Sequence, residues 1–147
     1  MKLSTKGRYA IRALLDLAMH ADESPVLLKT IAGRQQISLQ YLEHLISPLI
    51  AAGVLRSIRG PKGGIMLARP PADIKLSEVI QLVEGPFIPA ECITNPDVCD
   101  RVEQCATRDI LEELKQAMDG VLENTTLEDM AERQKSKTAS KESMYYI

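Results

Sequence analysis

The sequence predicts a mainly α fold: a winged helix-turn-helix domain with a two-stranded wing, plus a long dimerisation helix. Two short helical patterns lie close together in the first half of the chain, and a basic glycine-rich turn between two short apolar segments follows them. A long amphipathic pattern comes later. The first two features describe a helix pair with a hairpin. The third describes a helix whose apolar stripe must pack against something.

The first helix is predicted over residues 5–20, with Ser4 or Thr5 as its N-cap. Its apolar face consists of residues at helical spacing, namely Ile11, Leu14, Leu15 and Ala18. Basic side chains lie near its start, where free backbone N–H groups attract phosphate: Lys6, Arg8 and Arg12. Solvated charge on an exposed face is the alternative interpretation of these residues.

The helix pair is predicted from residue 28 to the residue before Gly53, because only two residues separate the first helix, Leu28–Gln35, from Ser38. Ser38 is a good N-cap for the second helix, and Gly53 suits its end. Pro48 predicts a kink. The apolar face of this helix is Leu42, Leu45, Ile46 and Leu49, and the opposite face carries Gln40, Tyr41, Glu43 and His44.

A wing is predicted after the second helix, with strands over residues 54–57 and 65–67 and a basic turn over residues 59–64. The turn does not match a nucleotide-binding P-loop, because Lys62 is followed by glycine and by a short apolar segment instead of a helix. An ordinary surface hairpin is the alternative. The preceding helix pair favours a DNA-binding wing, with Arg59, Gly60 and Lys62 at the DNA surface.

The rest of the chain predicts three more helices, over residues 76–84, 106–125 and 127–134. The middle helix has an apolar stripe that one small domain can hardly cover, so we expect it to pack against a second copy: Ile110, Leu111, Leu114, Ala117, Met118, Val121 and Leu122. Residues 135–147 show no periodicity and are predicted to be mobile. The predicted units are therefore residues 1–85, 86–105, 106–134 and 135–147.

All three cysteines lie in one loop, as Cys92, Cys99 and Cys105 with C-x6-C-x5-C spacing. Their neighbours are Asp, Glu, Asn and Pro, which is a poor setting for buried apolar thiols. Zinc usually takes four ligands with closer cysteine pairs, whereas an iron–sulfur cluster is held by thiolates and tolerates one foreign ligand. The chemistry ranks a cluster first, then zinc, then redox-active thiols.

The charge is divided unequally along the chain, although the net charge is −2. Residues 1–70 carry 10 Lys and Arg against 4 Asp and Glu, and residues 71–147 carry 8 against 16. A basic first half suits a polyanion partner. No stretch is long and apolar enough for a membrane span, and charges interrupt the only segment that could be a signal peptide. We therefore expect a cytoplasmic protein with reduced thiols.

Residues 1–10 (MKLSTKGRYA), residues 37–43, the wing turn and the three-cysteine loop together resemble the Rrf2 family of bacterial winged-helix regulators. The resemblance implies a homodimer, a palindromic operator in double-stranded DNA, and a cluster on the three cysteines. It places Ser38, Gln40, Tyr41, Glu43 and Arg59 at the DNA surface. The full predicted DNA-contacting set is Thr5, Lys6, Arg8, Lys29, Ser38, Gln40, Tyr41, Glu43, His44, Arg59, Gly60 and Lys62.

The expected function is a non-enzymatic transcriptional regulator, a repressor, that senses cluster supply, nitric oxide, iron or redox state. A [2Fe-2S] cluster is favoured over a [4Fe-4S] cluster. The fourth ligand stays open among a loop carboxylate (Asp97, Asp100 or Glu103), a partner group and an exogenous thiol. The alternative is a cluster-free thiol-redox or zinc-binding regulator of sulfur metabolism. An enzyme would have only a cysteine with His20 or His44 to support it, and no base–nucleophile signature surrounds either histidine. An iron–sulfur carrier without DNA binding would leave the wing and the basic first half unexplained.

Overall fold

The chain forms six α-helices and one two-stranded sheet in the part that the structure, a computed structural model, describes: residues 2–146. The elements are α1 (Thr5–Met19), α2 (Leu28–Gln35), α3 (Leu39–Ala51), β1 (Leu55–Ile58), β2 (Gly64–Leu67), α4 (Leu76–Val83), α5 (Ala106–Glu123) and α6 (Leu127–Tyr145). The mainly helical winged fold class predicted above is therefore confirmed. Short 3-10 turns occupy Ala21–Glu23, Pro71–Asp73, Glu91–Ile93, Pro96–Val98 and Val102–Gln104.

The core lies between α1, α3 and α4, where leucine, isoleucine, valine and alanine side chains are buried. Ser4 is the N-cap of α1, because its hydroxyl accepts a hydrogen bond from the Gly7 N–H. The buried face of α1 is rotated slightly from the predicted one: it consists of Ala10, Ala13, Leu14, Leu17 and Ala18, while Ile11 and Leu15 are half-buried at its edge. α3 continues through Pro48 to Ala51, and a kink there stays a prediction.

The wing is an antiparallel hairpin whose register pairs Leu55 with Leu67 and Ile58 with Gly64. Its strands begin one residue later (β1) and one residue earlier (β2) than predicted. Two glycines are required where the hairpin approaches other backbone. A Cβ on Gly63 would lie 2.2 Å from the Ile58 carbonyl oxygen. Gly64 has φ +154°, and its Cβ would lie 2.4 Å from the Val26 carbonyl oxygen. The hairpin is thereby held against the segment that precedes α2.

α6 corrects the prediction for the end of the chain. The helix predicted to stop at residue 134 extends to Tyr145, so residues 135–145 are helical instead of irregular. Its start is well specified: the Thr126 hydroxyl accepts from the Asp129 N–H, and the Asp129 carboxylate accepts from the Thr126 N–H. Hydrogen bonds from the backbone and hydroxyl of Thr126 lower the pKa of Asp129, with a smaller contribution from Arg133. Only Leu127 and Ala131 of this helix are buried, so the rest of α6 adds little to the core.

Two backbone hydrogen bonds join the start of α6 to the start of α4. The Leu76 N–H donates to the Thr125 carbonyl oxygen at 2.9 Å, and the Leu127 N–H donates to the Ile74 carbonyl oxygen at 3.0 Å. These bonds belong to a short antiparallel bridge between Lys75 and Thr126. The chain therefore returns to the core after α5.

α5 has no fully buried residue, although it is strongly amphipathic. It packs beside α4 and the turn Glu91–Ile93. Two members of its predicted stripe, Ile110 and Val121, are 62% and 66% exposed. Within residues 2–146, no helix has the length and apolar character needed to cross a membrane.

Candidate nucleic-acid interface and cysteine loop

The N-terminal half of α3 presents the predicted recognition residues to solvent. Ser38 caps the helix, because its hydroxyl accepts from the Tyr41 N–H at 3.2 Å. Gln40, Glu43 and His44 are exposed. The apolar stripe on the other face of α3, from Leu42 to Leu49, is buried in the core, which fixes the direction of the polar face. Side chains of this type can bond to base edges in a major groove.

Tyr41 differs from its neighbours because it is half-buried against α1. Its ring meets the Tyr9 ring edge to face, with centroids 5.9 Å apart. The Arg12 guanidinium lies over the Tyr9 ring, 5.3 Å from its centroid. Arg12 Nε also donates to Gln35 Oε1 at 3.2 Å. Arg12, predicted as one of three basic residues near phosphate, therefore joins α1 to α2 and packs on Tyr9, whose ring contacts α3.

A buried carboxylate that the sequence analysis did not single out supports the helix pair. Asp16 is 3% exposed and lies on α1. Its carboxylate accepts from Gln35 Nε2 at 2.8 Å and from Arg34 at 3.2 Å, and His20 lies 3.5 Å away. The signal in the sequence was an aspartate inside the apolar pattern of α1. Its role became visible only when α2 was placed beside it.

The wing tip is a polar, exposed turn. Arg59, Gly60 and Lys62 are all exposed. Gly60 has φ +107°, which favours glycine at the turn. The side chains of Arg59 and Lys62 make no hydrogen bond to any other residue among those described, so the fold does not use their charges. Arginine at such a tip suits the negative potential of a minor groove.

At the N-terminus of α1, backbone N–H groups that were expected to be free for phosphate have a partner within the protein. Thr5, Lys6 and Arg8 are exposed as predicted, and Arg8 donates to the Thr5 hydroxyl at 3.1 Å. The N–H groups of Ser4 and Gly7, however, donate to the carboxylate of Glu84, the residue that follows α4. These two groups are therefore not available to a phosphate. Lys29, in the first turn of α2, is exposed.

The cysteine loop is built from the three 3-10 turns between α4 and α5. All three thiols are free: Cys99 is exposed, and Cys92 and Cys105 are half-buried. Cys105 is the N-cap residue of α5. Arg108 of α5 donates through Nε to the Cys92 carbonyl oxygen at 3.2 Å, so the beginning of the loop is attached to the helix at its end.

The loop has the donor chemistry for a metal cluster but not a preformed site. Three thiols within one loop suit iron or another thiophilic metal. Among residues 2–146, however, no three His, Cys, Asp or Glu side chains are grouped so that they could hold one metal ion. The residue types therefore fit an iron–sulfur cluster, and binding one requires the loop to bring the thiols together.

Comparisons with known proteins agree with this description. A family model described as "Rrf2: Iron-dependent Transcriptional regulator" matches residues 3–133. The chain is 40% identical over 131 residues to the HTH-type transcriptional regulator CymR of Bacillus subtilis, covering 89% of this chain and 90% of that protein. It is 38% identical over 134 residues to the HTH-type transcriptional regulator IscR of Serratia proteamaculans, covering 91% and 81%.

Two solved structures share the fold. The structure titled as CymR, the global cysteine regulator of B. subtilis, superposes with a TM-score of 0.79 at 38% identity, covering 90% of this chain and 98% of that one. T. potens IscR superposes with a TM-score of 0.75 at 40% identity, covering 91% and 88%. IscR and CymR are thus similarly close. Since these relatives are named transcriptional regulators, the expectation of a non-enzymatic protein is confirmed, and the chain belongs to the Rrf2 family of DNA-binding transcriptional regulators.

Proposed function

We propose that the protein is a cytoplasmic, homodimeric repressor that binds a palindromic operator and senses iron–sulfur cluster status through Cys92, Cys99 and Cys105. One observation carries the proposal. All three thiols lie in a single loop between the DNA-binding domain and the exposed helix α5. A change in that loop can bias both the α1–wing unit and the arrangement of two copies, which is what a coupling between sensing and DNA binding needs.

The DNA-binding part of the proposal is supported by exposure. Eleven of the twelve predicted contact residues are exposed, and only Tyr41 is half-buried. They occupy the N-terminal parts of α1, α2 and α3 and the wing tip. In a symmetric dimer the two α3 helices would lie about one DNA turn apart, roughly 34 Å. The exposed stripe of α5 is the surface that we assign to dimerisation.

The three cysteines would hold the cluster, with a [2Fe-2S] type favoured, and the fourth ligand would come from a loop carboxylate, the partner subunit or an exogenous thiol. When bound, a cluster supplies a centre that reacts to iron supply, oxidants and nitric oxide. The chain's own contribution is a polar loop with three 3-10 turns. Cys92 lies inside the turn Glu91–Ile93, and Cys99 and Cys105 directly follow the turns Pro96–Val98 and Val102–Gln104. Such a loop can close around a cluster without disturbing the core.

A second candidate is a cluster-free or zinc-binding regulator of sulfur metabolism that uses its thiols directly. Two observations favour it. The described residues contain no preformed three-ligand group, and the relative titled a global cysteine regulator is as similar to this chain as IscR is. In this case the exposed Cys99 would be the thiol most accessible to oxidants.

Anaerobic reconstitution distinguishes the two candidates. Wild type and the triple variant Cys92→Ala, Cys99→Ala, Cys105→Ala are treated with iron and sulfide, and metal, sulfide and visible absorbance are measured. We expect wild type to take up both elements and absorb visible light, and the triple variant to do neither. A colourless wild type that retains stoichiometric zinc would refute the cluster and support the zinc regulator.

DNA binding is tested separately, with a duplex that wild type enriches from a random-sequence pool. Because Lys and Arg contacts release counterions from phosphate, affinity should fall steeply as salt rises. Replacement of the three cysteines should change the affinity measured with reconstituted protein. Failure to enrich any duplex, or affinity independent of salt, would contradict the DNA-binding proposal.

A further inference from the structure

The carboxylate of Glu84 lies against the N-terminus of α1. Its Oε1 atom accepts from the Ser4 N–H at 3.1 Å and from the Gly7 N–H at 3.0 Å, and the Ser4 hydroxyl also donates to it. The first N–H groups of a helix have no partner within the helix, and a negative group is favoured there. Glu84 therefore accepts hydrogen bonds from the N-cap residue Ser4 and from Gly7 in the first turn, which lie 80 and 77 residues away in the sequence.

The close approach of Glu84 depends on Gly7. A Cβ atom built on Gly7 would lie 2.5 Å from Glu84 Oε1 and 3.1 Å from Glu84 Cδ. Any larger residue would push the carboxylate away from the backbone of α1. Gly7 is buried at this contact although its neighbours Lys6 and Arg8 are exposed. The glycine is thus explained by contact with the carboxylate and not by an unusual φ.

The turn that Glu84 holds is the one that presents Thr5, Lys6 and Arg8. We propose that Glu84 is a positioning residue for DNA binding: it fixes the first turn of α1 so that these side chains meet the phosphate backbone. This inference rests on the proposed DNA-binding function. It assigns to an acidic residue a favourable effect on the binding of a polyanion, which net charge alone would not predict.

The direction in which a Glu84 substitution changes DNA affinity distinguishes positioning of α1 from electrostatic repulsion of phosphate. If Glu84 only repelled phosphate, Glu84→Ala and Glu84→Gln would both bind DNA more tightly than wild type. If it positions α1, Glu84→Ala should bind about tenfold more weakly, since it loses charge-assisted hydrogen bonds. Glu84→Gln keeps an acceptor oxygen and should stay close to wild type. The salt dependence should be unchanged, because the phosphate-contacting cations remain.

Gly7→Ala tests the same contact while keeping every charge. Alanine is the better helix former, so α1 itself gains, but the new methyl group displaces the Glu84 carboxylate. We expect weaker DNA binding by a factor similar to that of Glu84→Ala. Glu132→Ala is the matched control, because Glu132 is an exposed helical residue of α6 outside the contact, and its replacement should leave affinity unchanged.

The experiment measures affinity for the wild-type-enriched duplex and amide hydrogen exchange of the full chain. Positioning predicts that Glu84→Ala speeds exchange of the Gly7 N–H while the core amide of Leu14 stays protected. Faster exchange of both amides would show general destabilisation and overturn the inference, as would equal or tighter DNA binding by both Glu84 variants. If wild type enriches no duplex, the proposed function fails, and the Gly7 exchange rate still reports whether Glu84 holds the helix end.

Discussion

The Asp16 carboxylate shows how one polar residue can join α1 to the helix pair formed by α2 and α3. It is buried in α1 and accepts hydrogen bonds from Arg34 and Gln35, both at the end of α2. The orientation of α2 sets where α3 starts, because only the left-handed residue Gln36 and two further residues separate the helices. Removal of the Asp16 carboxylate should therefore lower both the stability of the protein and its affinity for DNA.

We predict that Asp16→Ala lowers the free energy of unfolding by about 1–3 kcal/mol, because it removes the buried acceptor of hydrogen bonds from Arg34 and Gln35. Urea unfolding measures the change. Asp22→Ala is the control, since Asp22 is exposed in the turn after α1, and its effect should stay within about 0.5 kcal/mol. Equal effects of the two substitutions would contradict the structural role given to Asp16.

Arg59 at the wing tip carries the second prediction at this scale. Its side chain is exposed and makes no hydrogen bond to any residue in the range 2–146, so its removal should not affect folding. Arg59→Ala should weaken operator binding by about tenfold, as expected for loss of one cation from a groove or phosphate contact. Lys135→Ala in α6 removes the same charge elsewhere and should change nothing. Affinity measured by gel shift decides, and equal losses for both variants would point to unspecific electrostatics.

The residues on exposed faces could be predicted from the sequence, whereas the residues that support them could not. Spacing placed Gln40, Glu43 and His44 opposite the apolar stripe of α3, and the structure exposes all three. Glu84 escaped prediction because its partners lie 77 to 80 residues away, and no local pattern encodes that distance. The three cysteines could be grouped in one loop, but the sequence could not show whether that loop brings them together.

At the scale of elements, prediction succeeded where periodicity was strong and failed where tertiary contacts decide. α2 matches its predicted bounds. α6 was predicted too short, because residues 135–145 contain few apolar side chains, and the polar but helix-compatible composition gave no 3.6-residue pattern. The helix is nucleated at its other end by the Thr126–Asp129 capping box, and good helix formers carry it onward.

The exposed stripe of α5 gives the prediction at this scale. Leu114 is half-buried on α5, between the exposed residues Ile110 and Val121. Leu114→Asp places a charge in the proposed seam between two copies and should convert the dimer to monomer in analytical ultracentrifugation. Gln116→Asp adds the same group on an exposed position outside the stripe and should leave the dimer intact. A folded Leu114→Asp protein that stays dimeric would place the interface elsewhere.

The whole molecule separates its charges between its two halves. The basic residues of the first half lie in the part that contains the helix pair and wing, and the acidic excess begins at residue 71. The first half therefore attracts a polyanion more strongly than the second half does. This division explains how a protein with pI near 5.7 can belong to a family of DNA-binding regulators.

The segment between Glu84 and Thr125 is an insertion in the topological sense, because the core fixes the chain at both of its ends. Glu84 bonds to α1 at one end, and the Thr125 carbonyl bonds to the Leu76 N–H at the other. The two ends are separated by roughly the length of α4, about 12 Å. A linker of about five residues, which can span roughly 17 Å, would therefore close the gap.

Exchange of residues 87–123 for such a glycine-serine linker should yield a folded monomer with the α1, α3 and wing surfaces unchanged. Circular dichroism and sedimentation measure this outcome, and an unfolded product would show that the insertion belongs to the core. The monomer should bind a half-site weakly, since it lacks the avidity of two linked domains. Residues 87–123 could therefore be exchanged for a segment with other thiols or another partner surface, while the helix pair and the wing keep their sequence.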